Sequence, residues 1–248
     1  MSPLFALVLA AATPVPTQAV QPITFAGVTL GESAAELVAQ RGEPVARSAD
    51  GTSYLYVGAG STGEVVHLTR GSVREIEVDA LERVDPTTGA PPKALGITIR
   101  DPESKLAALA PAQTGDRRAG SDRIRAYRVD ASTSVAFVTS PSFKGIRAIL
   151  VVVEDSALPK SDSTAPPLHD GTSFSDAVVL KAPNESVGVM SEYAWLSSHP
   201  CTGGIWRLAK QSLVSHDKTP YDVLNVTCSA GAQKRDVYFD IGAYFGKQ

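Results

Sequence analysis

The segment "VTLGESAAELVAQRGEP", residues 28–44, decides the fold that the first part of the chain predicts. Ser33 and Glu36 have the spacing of a capping box, in which the serine hydroxyl accepts from a free amide of the first helical turn and the glutamate reaches back to the serine amide. Gly42 suits the left-handed conformation that ends a helix, and Pro44 prevents its continuation. The segment therefore predicts a short helix in which Ser33 and Glu36 have structural roles.

The segments that follow this helix indicate a repeated unit. "TSYLYVG", "EVVHLTR" and "SVREIEV" alternate with the period of two that is typical of strands. A second segment, "GITIRDPESKLAALAP" at residues 96–111, matches the first in Gly96, Thr98 and Leu106, and it precedes "IRAYRVD", "TSVAFVT" and "IRAILVVVE". We therefore predict a degenerate tandem repeat of about 70 residues, each unit being one helix and three antiparallel strands. Because a unit this small buries little core, and because "ILVVV" at residues 149–153 is apolar on both faces, we expect the units to pack together or to self-associate.

The rest of the chain predicts a linker and a further domain. Residues 155–176 are rich in Ser, Pro and Asp, and a strand, a helix capped by Asn184 and more strands follow them. The predicted fold class is α+β, with two helix-plus-three-stranded antiparallel sheet repeats and then a separate small α+β domain with one disulfide. The predicted organisation is a signal peptide at residues 1–19, repeats at 20–84 and 95–154, the linker at 155–176 and the C-terminal α+β domain at 177–248.

The N-terminal sequence predicts export from a bacterial cell. An apolar run at residues 4–12 is followed by small residues, with Thr17 and Ala19 at the −3 and −1 positions of a signal peptide cleaved near Ala19. The alternative is a buried N-terminal strand. No later segment has the ~18 apolar residues that span a bilayer. We therefore expect a periplasmic or secreted protein without a transmembrane span.

Cysteine content and charge narrow the possible functions. Cys201 and Cys228 are the two cysteines, and an even number in an exported chain favours a disulfide. The alternative is a Cys–His pair or a metal site that uses His199 and Cys201, but no C-x-x-C or H-x-x-x-H spacing supports it. We therefore predict no metal and no other cofactor. The formal net charge of −3 argues against a nucleic-acid-binding protein.

One glycine-rich segment has the form of a nucleotide-binding motif. "GAGSTGE", residues 58–64, matches G-x-G-x-x-G, but a strand follows it where phosphate binding requires a helix N-terminus. Glu64 also occupies a position where a phosphate-binding loop has lysine. We predict a hairpin loop.

The strands of the first repeat suggest a binding surface. If Leu55 and Val57 face the core, alternation places Tyr54 and Tyr56 on the opposite face. Aromatic residues with a few polar groups form a plausible contact surface, and the alternative is that the second repeat or the linker covers this face. The predicted binding residues of the sheet are Tyr54, Tyr56, His67, Glu75 and Glu77.

Trp195 is a further predicted binding residue. The apolar face of the C-terminal helix is expected to consist of Val187, Val189, Met190, Tyr193 and Ala194. Trp195 falls on the other side, near Gly188 and Glu192. It is therefore either a docking contact or covered by another domain.

Two resemblances bear on function. "GVTLGESAAELVAQRGEP…YLYV…VVHLTRGSVREIEV" and its weaker copy, together residues 27–153, resemble repeats of the β-lactamase-inhibitor-protein-like kind, shared with small outer-membrane assembly lipoproteins. This resemblance implies units that present a sheet face or loop to another protein, although the chain lacks the lipidated cysteine of those lipoproteins. "DGTSFSDAVVLKA…EYAWLSSH…QSLVSHDKTPYDVLNVTC…RDVYFDIGAYFGK", within residues 170–247, resembles a group of exported bacterial domains with no assigned function, which implies export.

Together these observations predict an exported, non-enzymatic protein that presents a sheet face to a protein or cell-envelope partner. One alternative is a hydrolase-type enzyme with a site between the repeats and the C-terminal domain. A second alternative is a structural envelope protein.

Overall fold

The computed structural model describes residues 23–81, 89–159 and 166–248. The predicted signal peptide, residues 1–19, lies outside the described residues, as does the middle of the predicted linker. The described helices are α1 (Ala34–Arg41), α2 (Glu185–Ser198) and 3₁₀ helices at Glu103–Ala112, Asp155–Ala157 and Phe174–Asp176. The described strands are β1 (Thr24–Phe25), β2 (Val28–Thr29), β3 (Ala46–Arg47), β4 (Ser53–Gly58), β5 (Thr62–Thr69), β6 (Ser72–Ala80), β7 (Lys93–Ala94), β8 (Ile97–Thr98), β9 (Gln113–Ala119), β10 (Asp122–Arg128), β11 (Thr133–Ser140), β12 (Phe143–Val153), β13 (Val178–Val179), β14 (Trp206–His216), β15 (Thr219–Cys228) and β16 (Lys234–Asp240).

A single eight-stranded sheet replaces the two predicted repeats. Its strand order is β3-β4-β5-β6-β12-β11-β10-β9, and β6 and β12 pair antiparallel with Val78 opposite Ile149. The predicted fold class, with two helix-plus-three-stranded units, was therefore wrong, since the chain is mostly β. Edge strands with unpaired backbone groups are costly to leave open, and the pairing of β6 with β12 removes two such edges at once.

The second predicted helix is not an α-helix. Residues Glu103–Ala112 form a 3₁₀ helix that contains Pro111, which cannot donate a backbone hydrogen bond. Asp101, which precedes this helix, accepts from the Thr98 amide (2.9 Å) and from Lys105 Nζ (2.7 Å) and makes no cap to it. The α-helix predicted for the second unit is therefore absent from residues 103–112, and less of the chain is α-helical than predicted.

The first helix confirms the capping box. In α1 the Ser33 hydroxyl accepts from the Glu36 amide (3.2 Å), and the Glu36 carboxylate accepts from the Ser33 amide (2.8 Å). Gly42 follows the helix with a φ of 76°. A Cβ on Gly42 would lie 2.7 Å from the Lys181 amide nitrogen, because the C-terminal part of the chain passes directly against this residue. Gly42 therefore ends α1 and also permits contact between the two parts of the chain.

The C-terminal part contains a four-stranded sheet of order β13-β16-β15-β14, packed against α2. The predicted disulfide is confirmed, since Cys201 and Cys228 are joined. Helix α2 also contacts β4, and Leu55 and Val57 of β4 pack against the C-terminal core. The large sheet and the C-terminal sheet thus meet through α2, and the predicted domain boundaries stay predictions.

The buried side of α2 differs from the predicted one. Gly188, Glu192 and Trp195 are buried, whereas Tyr193 of the predicted apolar face is exposed. The small Gly188 leaves space for the ring of Tyr244, and the Tyr244 hydroxyl donates to the Glu192 carboxyl group (2.7 Å). The polar side of α2 is therefore buried because Tyr244 supplies both a fitting surface and a hydrogen bond.

Candidate ligand-binding pocket

The predicted aromatic surface of the large sheet is not exposed. Tyr54 and Tyr56 are 0% and 4% exposed and belong to the core of the large sheet. Tyr54 lies opposite Val66, and Val66 lies opposite Ile76, so their side chains share one face. The prediction that the tyrosines lie on an open face was wrong, because alternation within a strand does not specify which of its two faces the tertiary structure covers.

The other predicted residues of this surface lie on the opposite face from the tyrosines. His67 is directly opposite Ser53 and Glu75, and its Nδ1 is hydrogen-bonded to the Ser53 hydroxyl (2.9 Å). Burial, and secondarily repulsion from Asp79, raises the pKa of Glu77. His67, Glu75 and Glu77 are therefore not brought together with Tyr54 and Tyr56.

Trp195 is buried within the C-terminal part, so it is not an exposed docking contact. Its side chain is 2% exposed and packs edge-on against Phe239 of the C-terminal sheet, with 5.6 Å between the ring centroids. The His199 ring stacks on it at 4.0 Å with an interplanar angle of 17°. Trp195 thus belongs to the interior of the C-terminal part, and one edge of that interior borders a cavity.

This cavity, here called the Trp–Arg pocket, has a volume of about 470 Å³. It is lined by Leu168, His169, Asp170, Trp195, His199, Pro200, Cys201, Thr202, Trp206, Gln233 and Arg235. The lining residues come from the segment before β13, the end of α2 and the starts of β14 and β16. Its volume falls within the range of small-molecule sites, and its walls combine aromatic rings with a few polar groups, as such sites do.

Arg235 is the most unusual residue of the pocket. Its guanidinium lies 5.1 Å from the ring centroid of Trp206 and 5.8 Å from that of Trp195, which are cation–π distances. Its Nε is buried and has no hydrogen-bond partner in residues 23–81, 89–159 or 166–248. Burial lowers the pKa of Arg235, and Asp170 opposes this effect only from beyond ion-pair distance.

The two histidines of the pocket are each held through one ring nitrogen. Nδ1 of His199 donates to the Trp195 carbonyl (2.9 Å). Nδ1 of His169 donates to the carboxylate of Glu43, which also accepts from the His169 amide (2.9 Å). Glu43 is 5% exposed, and its hydrogen bond raises the pKa of His169. Both rings are thus oriented before any ligand binds, and in each ring these contacts use Nδ1 and do not use Nε2.

The walls of the pocket are fixed by contacts outside it. The indole Nε1 of Trp206 donates to the His199 carbonyl (2.9 Å), which sets the ring orientation. The disulfide between Cys201 and Cys228 ties the segment after α2 to the end of β15. The pocket is therefore largely pre-formed, as binding sites usually are.

The sequence prediction missed this site except for Trp195, His199 and Cys201. Arg235 stands beside Lys234, and His169 lies within the predicted linker, and no local pattern marks either of them as a site residue. Glu43 approaches His169 across a long stretch of sequence, so no local pattern signals their pairing. The one sequence signal was that the tryptophans, Trp195 and Trp206, flank the same cysteine.

A second cavity of about 520 Å³ lies between α1, β4 and the C-terminal part. Its buried Glu64 is paired with Arg41 (2.5 Å), and burial raises the pKa of Glu64. Gly58 also lines it, and "GAGSTGE" forms the β4–β5 hairpin connection, as predicted. Since Arg41 already has its counter-charge, this cavity offers less to a ligand than the Trp–Arg pocket does.

Comparisons with known proteins do not place the chain in a family. No protein-family model and no curated protein matches it. A solved structure with partial likeness is the 1.5 Å crystal structure of an extracellular protein containing a SCP domain from Bacillus anthracis str. Ames, at 14% identity and a TM-score of 0.33. The likeness covers 51% of this chain and 44% of that one, so the chain spans less than half of that structure's length. A likeness of this size carries no argument.

Other features bear on location and cofactors. A structural disulfide is compatible with an exported protein. Within the described ranges, no helix combines the length and the apolar character needed to cross a membrane. In the same ranges, no group of three or more His, Cys, Asp or Glu side chains is arranged to hold a metal ion.

Proposed function

We propose that this chain is an exported, non-enzymatic binding protein that takes a small-molecule ligand in the Trp–Arg pocket. The observation that carries the proposal is Arg235, whose half-buried guanidinium lies against Trp206 and Trp195 without a carboxylate in ion-pair range among the described residues. Burying a charge without a partner is costly, and a bound ligand would offset that cost. The predicted sheet-face surface is not retained in this proposal, because its tyrosines are buried.

A hydrolase is the second candidate, and the pairing of Glu43 with His169 favours it. A histidine held by a carboxylate is the arrangement of a general base. The hydroxyl of Ser198, however, contacts His199 rather than His169, and its one proton is shared between the carbonyls of Val45 and Trp195. A serine hydroxyl used in this way is not presented to His169 as a nucleophile, so binding remains the better-supported function.

The test uses the intrinsic fluorescence of the protein. The chain has two tryptophans, and both line the pocket, so ligand binding there changes the tryptophan emission without any label. Small molecules extracted from the cell envelope are fractionated and added to the purified mature protein, and binding fractions are examined by native mass spectrometry. We expect a fraction that shifts the emission and yields a protein–ligand adduct.

Matched variants locate the adduct. Trp206→Ala removes one wall of the pocket and is expected to abolish the adduct, whereas Leu208→Ala changes an exposed apolar residue of the same strand and is expected to preserve it. An adduct that survives Trp206→Ala unchanged would place the ligand elsewhere. The absence of any adduct or emission change across the fractions would contradict the proposed function.

A further inference from the structure

We propose that the ligand of the Trp–Arg pocket is a small organic oxyanion, a carboxylate or a phosphate ester, whose charged group binds Arg235 and whose apolar body lies against Trp206. This inference rests on the proposed function and adds the chemical class of the ligand. It depends on the charge of the pocket, the free edge of Arg235 and the aromatic walls.

The charge of the pocket favours an anion. Arg235 is a permanent cation, and among the described residues Asp170 is the one acidic residue of the lining, beyond ion-pair distance of Arg235. The carboxylate of Glu43 pairs with His169 and offsets any charge on that ring, so the guanidinium of Arg235 is the cation that remains for a ligand. A guanidinium beside low-dielectric aromatic walls concentrates the attraction for a negatively charged group.

The free edge of Arg235 specifies an oxyanion. An arginine guanidinium presents its donors in parallel pairs, and the pair formed by the two Nη nitrogens matches the two oxygens of a carboxylate or phosphate. The Nε is buried without a partner, so the donors that a ligand can reach are the Nη nitrogens, which also have no hydrogen-bond partner among the described residues. An unpaired donor in this half-buried setting costs free energy until an acceptor arrives. A chloride ion or a neutral carbonyl would satisfy one donor, whereas a bidentate oxyanion satisfies two.

The aromatic walls specify the body of the ligand. Trp206 is held by its hydrogen bond to His199, and the guanidinium lies over its ring, so the indole borders the position of the bound oxyanion. An apolar, preferably planar group attached to the oxyanion would pack on this ring and lose its contact with water. Free inorganic phosphate lacks such a group and is expected to bind more weakly.

Four probes separate these elements. Benzoate and phenyl phosphate carry an oxyanion on an aromatic ring, benzamide is the neutral relative of benzoate, and inorganic phosphate has no apolar body. Affinities are measured by tryptophan fluorescence and by isothermal titration calorimetry at low ionic strength. We expect benzoate or phenyl phosphate to bind at least about tenfold more tightly than benzamide and inorganic phosphate, since charge-assisted bidentate bonds exceed neutral ones.

Variants of Arg235 test the role of the guanidinium. Arg235→Gln is expected to weaken binding of the preferred probe by about ten- to a hundredfold and to remove the preference over benzamide. Arg235→Lys keeps the charge without the fork and is expected to lie between the two. Arg207→Gln, an exposed arginine next to Trp206, is the matched control and is expected to bind as the wild type does.

The outcomes distinguish this inference from the proposed function. Equal affinity for benzamide and benzoate, or wild-type affinity in both Arg235 variants, would overturn the oxyanion class. If inorganic phosphate binds as tightly as phenyl phosphate, the inference that an apolar body contributes to binding is wrong. A neutral ligand from the envelope extract whose binding is lost in Trp206→Ala would support the proposed binding function and contradict only the inferred oxyanion class. A failure of all four probes also contradicts the inference, while the extract experiment decides the function independently.

Discussion

Glu192 shows how a single buried residue can make the stability of this fold depend on pH. Its side chain lies in the interior between α2 and β15, accepts a hydrogen bond from the Tyr244 hydroxyl (2.7 Å) and is 1% exposed. Burial, supported by the nearby Asp222, raises the pKa of Glu192 to about 8. The second oxygen of Glu192 is buried without a hydrogen-bond partner in the described residues, which fits a carboxyl group that keeps its proton.

The pH dependence of unfolding tests this assignment. The folded state binds the Glu192 proton more tightly than the unfolded state, whose pKa is near 4.5, so the stabilisation is complete below pH 4.5 and is lost as the pH rises to about 8. In this window the free energy of unfolding should fall by at most about 1.4 kcal/mol per pH unit from this group. Glu192→Gln carries no titrating proton, so urea unfolding at several pH values should show a shallower slope. Parallel profiles for the two proteins would contradict the assignment.

At the scale of elements, the position of α2 depends on how closely it packs against the ring of Tyr244. Its buried side includes Gly188, and a Cβ at this position would come within 2.1 Å of the Tyr244 ring. The close approach brings the Tyr244 hydroxyl to Glu192 and places Trp195 at the edge of the Trp–Arg pocket. The missing side chain of Gly188 is therefore a packing requirement of this helix.

Gly188→Ala should consequently destabilise the protein, although alanine is the better helix former. Forcing one methyl group into this packed interior should lower the free energy of unfolding by about 1–3 kcal/mol, measured by urea denaturation. Gly231→Ala is the control, because no described residue beyond its chain neighbours lies within 4 Å of the added methyl group, so the change should be small. A stabilising effect of Gly188→Ala would show that Tyr244 moves aside freely.

The strands illustrate which element properties a sequence specifies. The period of two in β4, β5 and β6 is correct, and so is the hairpin at "GAGSTGE". The face assignment is not, since Tyr54 and Tyr56 share the core face with Val66, while Leu55 and Val57 pack against the C-terminal core. Both faces of β4 carry apolar residues, so the choice between them depends on α2, which lies more than a hundred residues away.

At the scale of the whole molecule, Glu43 joins the two parts of the chain. It follows α1 directly, and its carboxylate accepts from the His169 amide, the His169 ring and the Val179 amide. Its own amide donates to the Val179 carbonyl (2.8 Å). The same contact holds His169, a lining residue of the Trp–Arg pocket, so this side of the pocket depends on the joining of the two parts.

Glu43→Gln tests this contact through the titration of His169. Because the Glu43 hydrogen bond raises the pKa of His169, removal of the carboxylate charge should lower that pKa toward the ordinary value of 6.5. The measurement is an NMR titration of the imidazole protons, with His169→Asn used to assign the signal. Glu75→Gln, which alters a carboxylate of the large sheet away from this residue, should leave the His169 titration unchanged. An unaltered titration in Glu43→Gln would mean that the contact does not form in solution.

The sequence by itself determined the features that depend on neighbouring residues or on counting. These are the capped helix α1, the strand periods, the hairpin loop and the pairing of Cys201 with Cys228. Caps, turns and alternation act over a few residues, and two cysteines permit one intramolecular disulfide, so these features can be inferred without knowledge of the fold.

The tertiary structure alone decided the eight-stranded sheet, the covered faces and the Trp–Arg pocket. The sheet depends on Val78 meeting Ile149, and the pocket depends on Glu43 meeting His169 and on Arg235 meeting Trp206. Each of these contacts joins segments that are distant in sequence, and each is selected because it removes an unpaired edge or covers an apolar face. No local pattern encodes such a choice, because its free energy arises only when the distant segments pack together.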